Sequence, residues 1–99
     1  MRMMMKVSIP VEQGNKALRD GSLQKTVIGF VETTKAEASY FTTENGKRTG
    51  LYFFDLKDST MLPALAEPFF QNLDAEVTWT PVMDLGDLKA GIEKIAKLF

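Results

Sequence analysis

The chain of 99 residues has no cysteine and no histidine, and it holds only one tryptophan and four prolines. Without cysteine there is no disulfide, no iron–sulfur cluster and no thiol nucleophile. Without histidine the commonest zinc and haem ligand is missing, as is the commonest acid–base group near neutrality. A strong charge of either sign is absent as well, since 12 Lys and Arg stand against 13 Asp and Glu, a net charge of −1. A non-specific nucleic-acid binder usually carries a basic excess, because phosphate neutralisation supplies most of its affinity. Nucleic acid is therefore disfavoured as a partner. No apolar run approaches the roughly 18 residues of a membrane span. Only Met3, Met4 and Met5 separate Arg2 from Lys6, far short of the about 7–15 residues of a signal-peptide core. These absences predict a cytoplasmic protein with no membrane partner. Four of the six methionines fall in the first five positions, which leaves the start of translation open between Met1, Met3 and a neighbour.

What is present has a globular balance, 44% hydrophobic and 25% charged. The length fits one domain, residues 1–99, with a radius of gyration of about 13 Å if compact. Met5, Val7 and Ile9 share one parity and Met4, Lys6 and Ser8 the other, so the segment 3–11 reads as a strand ended by Pro10. Asn15 is a candidate cap for a short helical turn through Leu18 that stops at Gly21. Leu18 and Leu23 stand about 140° out of phase on a helix, which predicts a break at Gly21–Ser22. Ser22 then caps a second stretch whose Leu23, Val27, Phe30, Val31 and Thr34 form one stripe.

The sharpest local signal is Asn45–Gly46, between a segment from Ser39 to Glu44 and one from Lys47 to Phe54. An Asn-Gly pair suits a type I′ turn, so a two-residue hairpin pairs Glu44 with Lys47, Thr43 with Arg48, Thr42 with Thr49 and Tyr40 with Leu51. Lys47 and Arg48 are read as a solvated hairpin end. Asp58, Ser59 and Thr60 offer caps to a third helix with Leu62, Leu65, Ala66, Phe69, Phe70 and Leu73 inward, kinked at Pro68. Val77 and Trp79 alternate with Glu76, Thr78 and Thr80 in a fourth strand over 75–81, with Trp79 as core. Asp84 caps a last helix whose Leu85, Leu88, Ile92, Ile95 and Phe99 are spaced 3, 4, 3, 4.

Strand, helix, hairpin, helix, strand, helix is the order of an α+β, ferredoxin-like βαββαβ fold with a C-terminal helix and a four-stranded antiparallel sheet. Both crossover helices lie on one sheet face, so the other face needs a partner or must be polar. The strand parities give it Met4, Lys6, Ser8, Glu76, Thr78 and Thr80. The third strand is apolar on both parities, Leu51 and Phe53 against Tyr52 and Phe54, and sequence leaves open which pair faces the helices. Either way two large side chains reach the second face, with Tyr40 or Phe41 beside them. A patch mixing aromatics with lysine, serine and threonines suits a partly wet interface or a lined pocket. The expected assembly is a homodimer whose sheets face each other across a cavity.

Order, length and half-polar sheet face resemble the dimeric α/β-barrel superfamily, in which two ferredoxin-like protomers close one barrel. The segments Ser8–Asn15 (SIPVEQGN), Asp20–Thr26 (DGSLQKT), Tyr40–Gly50 (YFTTENGKRTG) and Pro81–Met83 (PVM) are similar to those of small uncharacterised bacterial proteins of that group. The resemblance implies the fold and the dimer and brings no activity or catalytic residue with it. Members with known roles include cofactor-free monooxygenases, haem-handling enzymes, isomerases and ligand-sensing modules. A haem role resting on a histidine ligand does not transfer, because this chain has none.

The functional expectation is a small organic ligand in the barrel cavity, bound or transformed without metal or cofactor. The phosphate-cradling and nucleophile-elbow motifs are absent, and Asp55 and Asp58 read as a strand end and a helix cap rather than a metal pair. Lys6 is the first candidate: on a central strand facing a covered cavity it is an anion clamp, an amine nucleophile or a base, and otherwise it snorkels to the rim or pairs with Glu76. Ser8, Thr78 and Thr80 are candidates to orient a polar ligand, and Tyr40 or Tyr52 to stack on an aromatic one. A dimer with an empty interface is the alternative. An RNA-recognition motif shares the topology, but from Arg48 the segment Arg-Thr-Gly-Leu-Tyr-Phe-Phe-Asp departs from [KR]-G-[FY]-[GA]-F-V-x-[FY] at most positions, the second, third, fourth and last among them.

Overall fold

A computed structural model describes residues 1–99. Pro10 ends β1 (Arg2–Ile9) and starts α1 (Val11–Asp20) at once, because a ring fixed near the φ of −56° seen here enters a helix with no backbone donor to leave orphaned. The helix thus begins four residues before Asn15, whose side chain takes another job described below. Gly21 stands at φ +86°, a left-handed conformation that favours glycine, and it separates α1 from α2 (Ser22–Thr34). The predicted break is there, but Ser22 is already the first helical residue: Gly21 occupies the cap position, and the Asp20 carboxylate accepts the Ser22 N–H at 2.8 Å.

The hairpin of β2 (Ala38–Glu44) and β3 (Lys47–Asp55) has the predicted register in full, from Glu44 opposite Lys47 to Tyr40 opposite Leu51. Asn45 and Gly46 take φ of 55° and 75°, the two positive values a type I′ turn demands. Asp58 accepts the Thr60 N–H at 2.9 Å and opens a short 3-10 turn that leads into α3 (Leu62–Leu73). The turn of α3 places Leu65, Ala66, Phe69 and Leu73 in the core, while Phe70, at the stripe's edge, stays 42% exposed. After a left-handed Asp74 the chain enters β4 (Glu76–Pro81).

The sheet runs β2-β3-β1-β4 with every neighbour antiparallel, the ferredoxin-like arrangement. Met3, Met5, Val7 and Ile9 of β1 face α1, α2 and α3 together with Tyr52 and Phe54 of β3. Phe30 sits at the centre, edge-on to Tyr52, Phe54 and Phe69 at ring separations of 4.9, 5.6 and 5.3 Å. Trp79 is only partly buried, against Phe54 at 6.2 Å.

The last helix departs from this plan. In α4 (Leu85–Leu98) Asp84 accepts the Asp87 N–H and Asp87 accepts the Asp84 N–H, a reciprocal cap. Beyond that first turn α4 covers nothing: Leu88, Ile92 and Ile95 are 44%, 54% and 53% exposed. The molecule is accordingly 55 Å long and its radius of gyration is 15.9 Å, above the about 13 Å of a compact chain this size. A helix of 14 residues adds about 21 Å of reach. No helix is long and apolar enough to cross a membrane.

Candidate functional site

The strand registers decide the face that sequence left open. Three rungs cross the helix-free side: Thr78, Lys6, Leu51, Tyr40; then Thr80, Met4, Phe53, Ala38; then Glu76, Ser8, Thr49, Thr42. The face is therefore divided, apolar toward the β2–β3 side and polar toward β4. Tyr40 stands 62% exposed and meets Phe53 edge-on at 6.4 Å. Lys6, Ser8 and Thr78 do come together, in a depression of about 210 Å³ that they share with Glu44, Thr49 and Glu76. The partner of Lys6 is Glu44 across the sheet, at 2.5 Å, and not Glu76. Thr80 lies outside this depression on the next rung, and Tyr40 outside it toward the edge strand. Such a fully polar hollow, already occupied by an ion pair, offers little to an apolar ligand.

At the other end of this face Arg2 holds three carboxylates, Glu37 at 2.6 Å, Asp84 at 3.1 Å and Asp87 at 3.3 Å. The hydrogen bond with Glu37, then its charge, raises the Arg2 pKa. Through Asp84 and Asp87 this cluster ties the root of α4 to the free face. Asp55 pairs with Lys57, whose hydrogen bond does most to lower its pKa to about 2, and Asp58 caps the 3-10 turn. The two aspartates thus serve separate local contacts.

Tyr52 lies on the opposite face, with its whole residue 1% exposed. Gly50 decides how. With no side chain there, the Tyr52 ring leans back along β3, and a Cβ on Gly50 would stand 2.8 Å from the hydroxyl. The hydroxyl thereby reaches a second and larger pocket, about 380 Å³, between α2 and the strands. Val7, Ile9, Leu23 and Val27 supply its apolar wall, with Ile28 and Phe41, both more than half exposed, also lining it. A cavity of several hundred Å³ with a mostly apolar lining and a few convergent polar groups is the usual form of a small-molecule site.

Arg48 is one of those polar groups. It shares a face with Gly50 and Tyr52, and its guanidinium crosses to α1, where Nη2 donates to Asn15 Oδ1 at 3.0 Å. Gly14 makes the crossing fit, since a Cβ at that position would stand 2.6 Å from Arg48 Nη1. Arg48 is therefore not the solvated hairpin end that its place beside the Asn45–Gly46 turn predicts. The alternation along β3 was legible, but the glycine one turn into α1 that admits the guanidinium carries no signal until α1 is seen to start at Val11.

Burial pushes the Tyr52 hydroxyl up to about 12, from its ordinary value of 10.0, and no hydrogen bond contributes to that shift. A raised phenol favours the folded state fully below pH 10, and this contribution is lost as pH climbs from about 10 to about 12. The loss amounts to about 2–3 kcal/mol. Urea unfolding of wild type and Tyr52→Phe is expected to differ by a constant up to pH 9, with the wild type then losing ground by that amount. A constant difference through pH 12 would contradict the buried titration.

Compared with protein-family models and with the curated proteins, the chain matches neither.

Proposed function

We propose that the protein is a homodimer of the dimeric α/β-barrel type that binds a small, largely apolar molecule in the pocket between α2 and the strands. The observation that carries this reading is the pocket itself, about 380 Å³ and mainly apolar, where the Tyr52 hydroxyl and Arg48 are the strongest donors. The free sheet faces supply the dimer contact in this reading, with Met4, Tyr40, Leu51 and Phe53 shielded and Lys6, Ser8, Thr78 and Thr80 left in a wet margin. Binding is better supported than chemistry, because an arginine keeps its proton at any ordinary pH and Tyr52 keeps its own to about 12. Neither moves a proton readily at neutrality. An RNA-binding role is disfavoured because Tyr52 and Phe54 pack under the helices instead of presenting their rings to bases. The dimer without a ligand remains the second reading, favoured by the uncovered stripe of α4.

The test uses a neutral apolar fluorophore, N-phenyl-1-naphthylamine. Wild type is expected to show saturable enhancement at one site per chain, and Val27→Trp, which fills the pocket, is expected to abolish it while the protein still melts cooperatively. No saturable signal, or equal signals from both proteins, would overturn the pocket as the ligand site.

A further inference from the structure

Arg2, Lys6 and Lys57 each hold a carboxylate within 4.0 Å, whereas half-buried Arg48 holds none. Its side-chain bond goes to the neutral Asn15 amide oxygen, which engages one of five guanidinium donors. No acidic residue lines the pocket beside it. A half-buried guanidinium beside an apolar wall, with no carboxylate of its own chain within 4.0 Å, keeps donors free for an anion. Two residues along the same face, the Tyr52 ring leans back over Gly50, and its hydroxyl, which no group of the chain hydrogen-bonds, opens onto the same pocket.

We propose that the pocket takes a small monocarboxylic acid, with its apolar body against Val7, Leu23, Val27 and Ile28 and its carboxylate at the Arg48 guanidinium and the Tyr52 hydroxyl. The assignment rests on the reading of this pocket as the ligand site. Two donors on one wall suit the two oxygens of a carboxylate, and a guanidinium makes short, directional bonds to that group. One cation and no lysine in the lining match a single negative charge. A phosphate monoester would bring a second charge that nothing in the lining offsets. Gly14 is the positioning residue, because its missing Cβ lets the guanidinium lie against α1.

The probes are straight-chain acids from hexanoic to decanoic and their primary amides, equal in shape and differing in charge. Each is titrated into ¹⁵N-labelled protein at pH 7, following the backbone amides of Val27, Ile28, Thr42 and Gly50. Wild type is expected to bind each acid about ten- to a hundredfold more tightly than its amide, the range of a charge-assisted hydrogen bond. Arg48→Met is expected to bring that ratio close to one. Gly14→Ala, which keeps the charge but displaces the guanidinium, is expected to lower the ratio as well, so the test stands even where Arg48→Met folds poorly. Tyr52→Phe is expected to weaken the acids several-fold and leave the amides less affected. Equal binding of acid and amide to wild type, or a ratio unmoved by both Arg48→Met and Gly14→Ala, would overturn the carboxylate assignment and leave the apolar pocket standing. If neither series shifts the pocket amides, the carboxylate assignment falls together with the pocket reading beneath it.

Discussion

Phe69→Ala is expected to remove about 3–5 kcal/mol of stability, a large share of the about 5–15 kcal/mol that holds a domain of this kind. The side chain is fully buried, and its ring meets Phe30 edge-on at 5.3 Å and Tyr52 at 5.9 Å. Truncation therefore loses the transfer energy of the ring and opens a void beneath two other aromatics that have little room to collapse. The cost extends to the pocket, since Tyr52 loses the wall that holds its ring over Gly50. The neighbouring Phe70 is the internal control: it is 42% exposed, and Phe70→Ala is expected to cost about 1 kcal/mol or less. Denaturant unfolding at one fixed protein concentration compares the two, so that any linkage to association is held constant. Equal losses from both variants would mean that α3 presents a different face to the sheet.

The contrast between these adjacent phenylalanines shows where sequence periodicity works and where it fails. It was enough to find every strand, the broken first helical segment and the hairpin, because alternation and an Asn-Gly pair are local signals that tertiary packing had no reason to override. It placed Phe69 and Phe70 on one stripe, since both fall within the same arc of α3, and only the packed sheet distinguishes the ring that reaches Phe30 from the ring at the rim. The same holds for the site. Lys6, Ser8 and Thr78 share a face and do meet, as period-two reasoning requires. Tyr52 and Arg48 belong to a pocket whose shape depends on what two glycines omit, Gly14 on α1 and Gly50 on β3. An absent side chain has no periodicity, so this space is invisible until the backbones are placed.

If the protein forms the proposed homodimer, the Ile92→Asp, Ile95→Asp double variant is expected to be a monomer. The spacing of Leu85, Leu88, Ile92 and Ile95 by 3, 4 and 3 residues makes an apolar seam along α4, with Lys89, Glu93, Lys94 and Lys97 outside it, the pattern by which one helix seats against a second element. No part of the chain itself covers this seam, and a helix of 14 residues alone in water is only marginally stable even with a good cap. The Arg2 cluster fixes the root of α4 at the rim of the free sheet face, so a second copy set against that face has the arm within reach. Four isoleucines leave water per dimer in this arrangement. Each is already about half covered, so about 0.7–1.5 kcal/mol apiece supplies about 3–6 kcal/mol, or about two to four orders of magnitude in the dissociation constant. Because α4 lies outside the core, the near-ultraviolet dichroism from Trp79 and the buried aromatics is expected to stay unchanged while part of the helical signal is lost. Sedimentation velocity at micromolar concentration reads the mass. A wild-type dimer that persists in the double variant, yet dissociates on Leu51→Glu, would place the interface on the sheet alone and leave α4 for another partner. A monomeric wild type would remove the dimer itself.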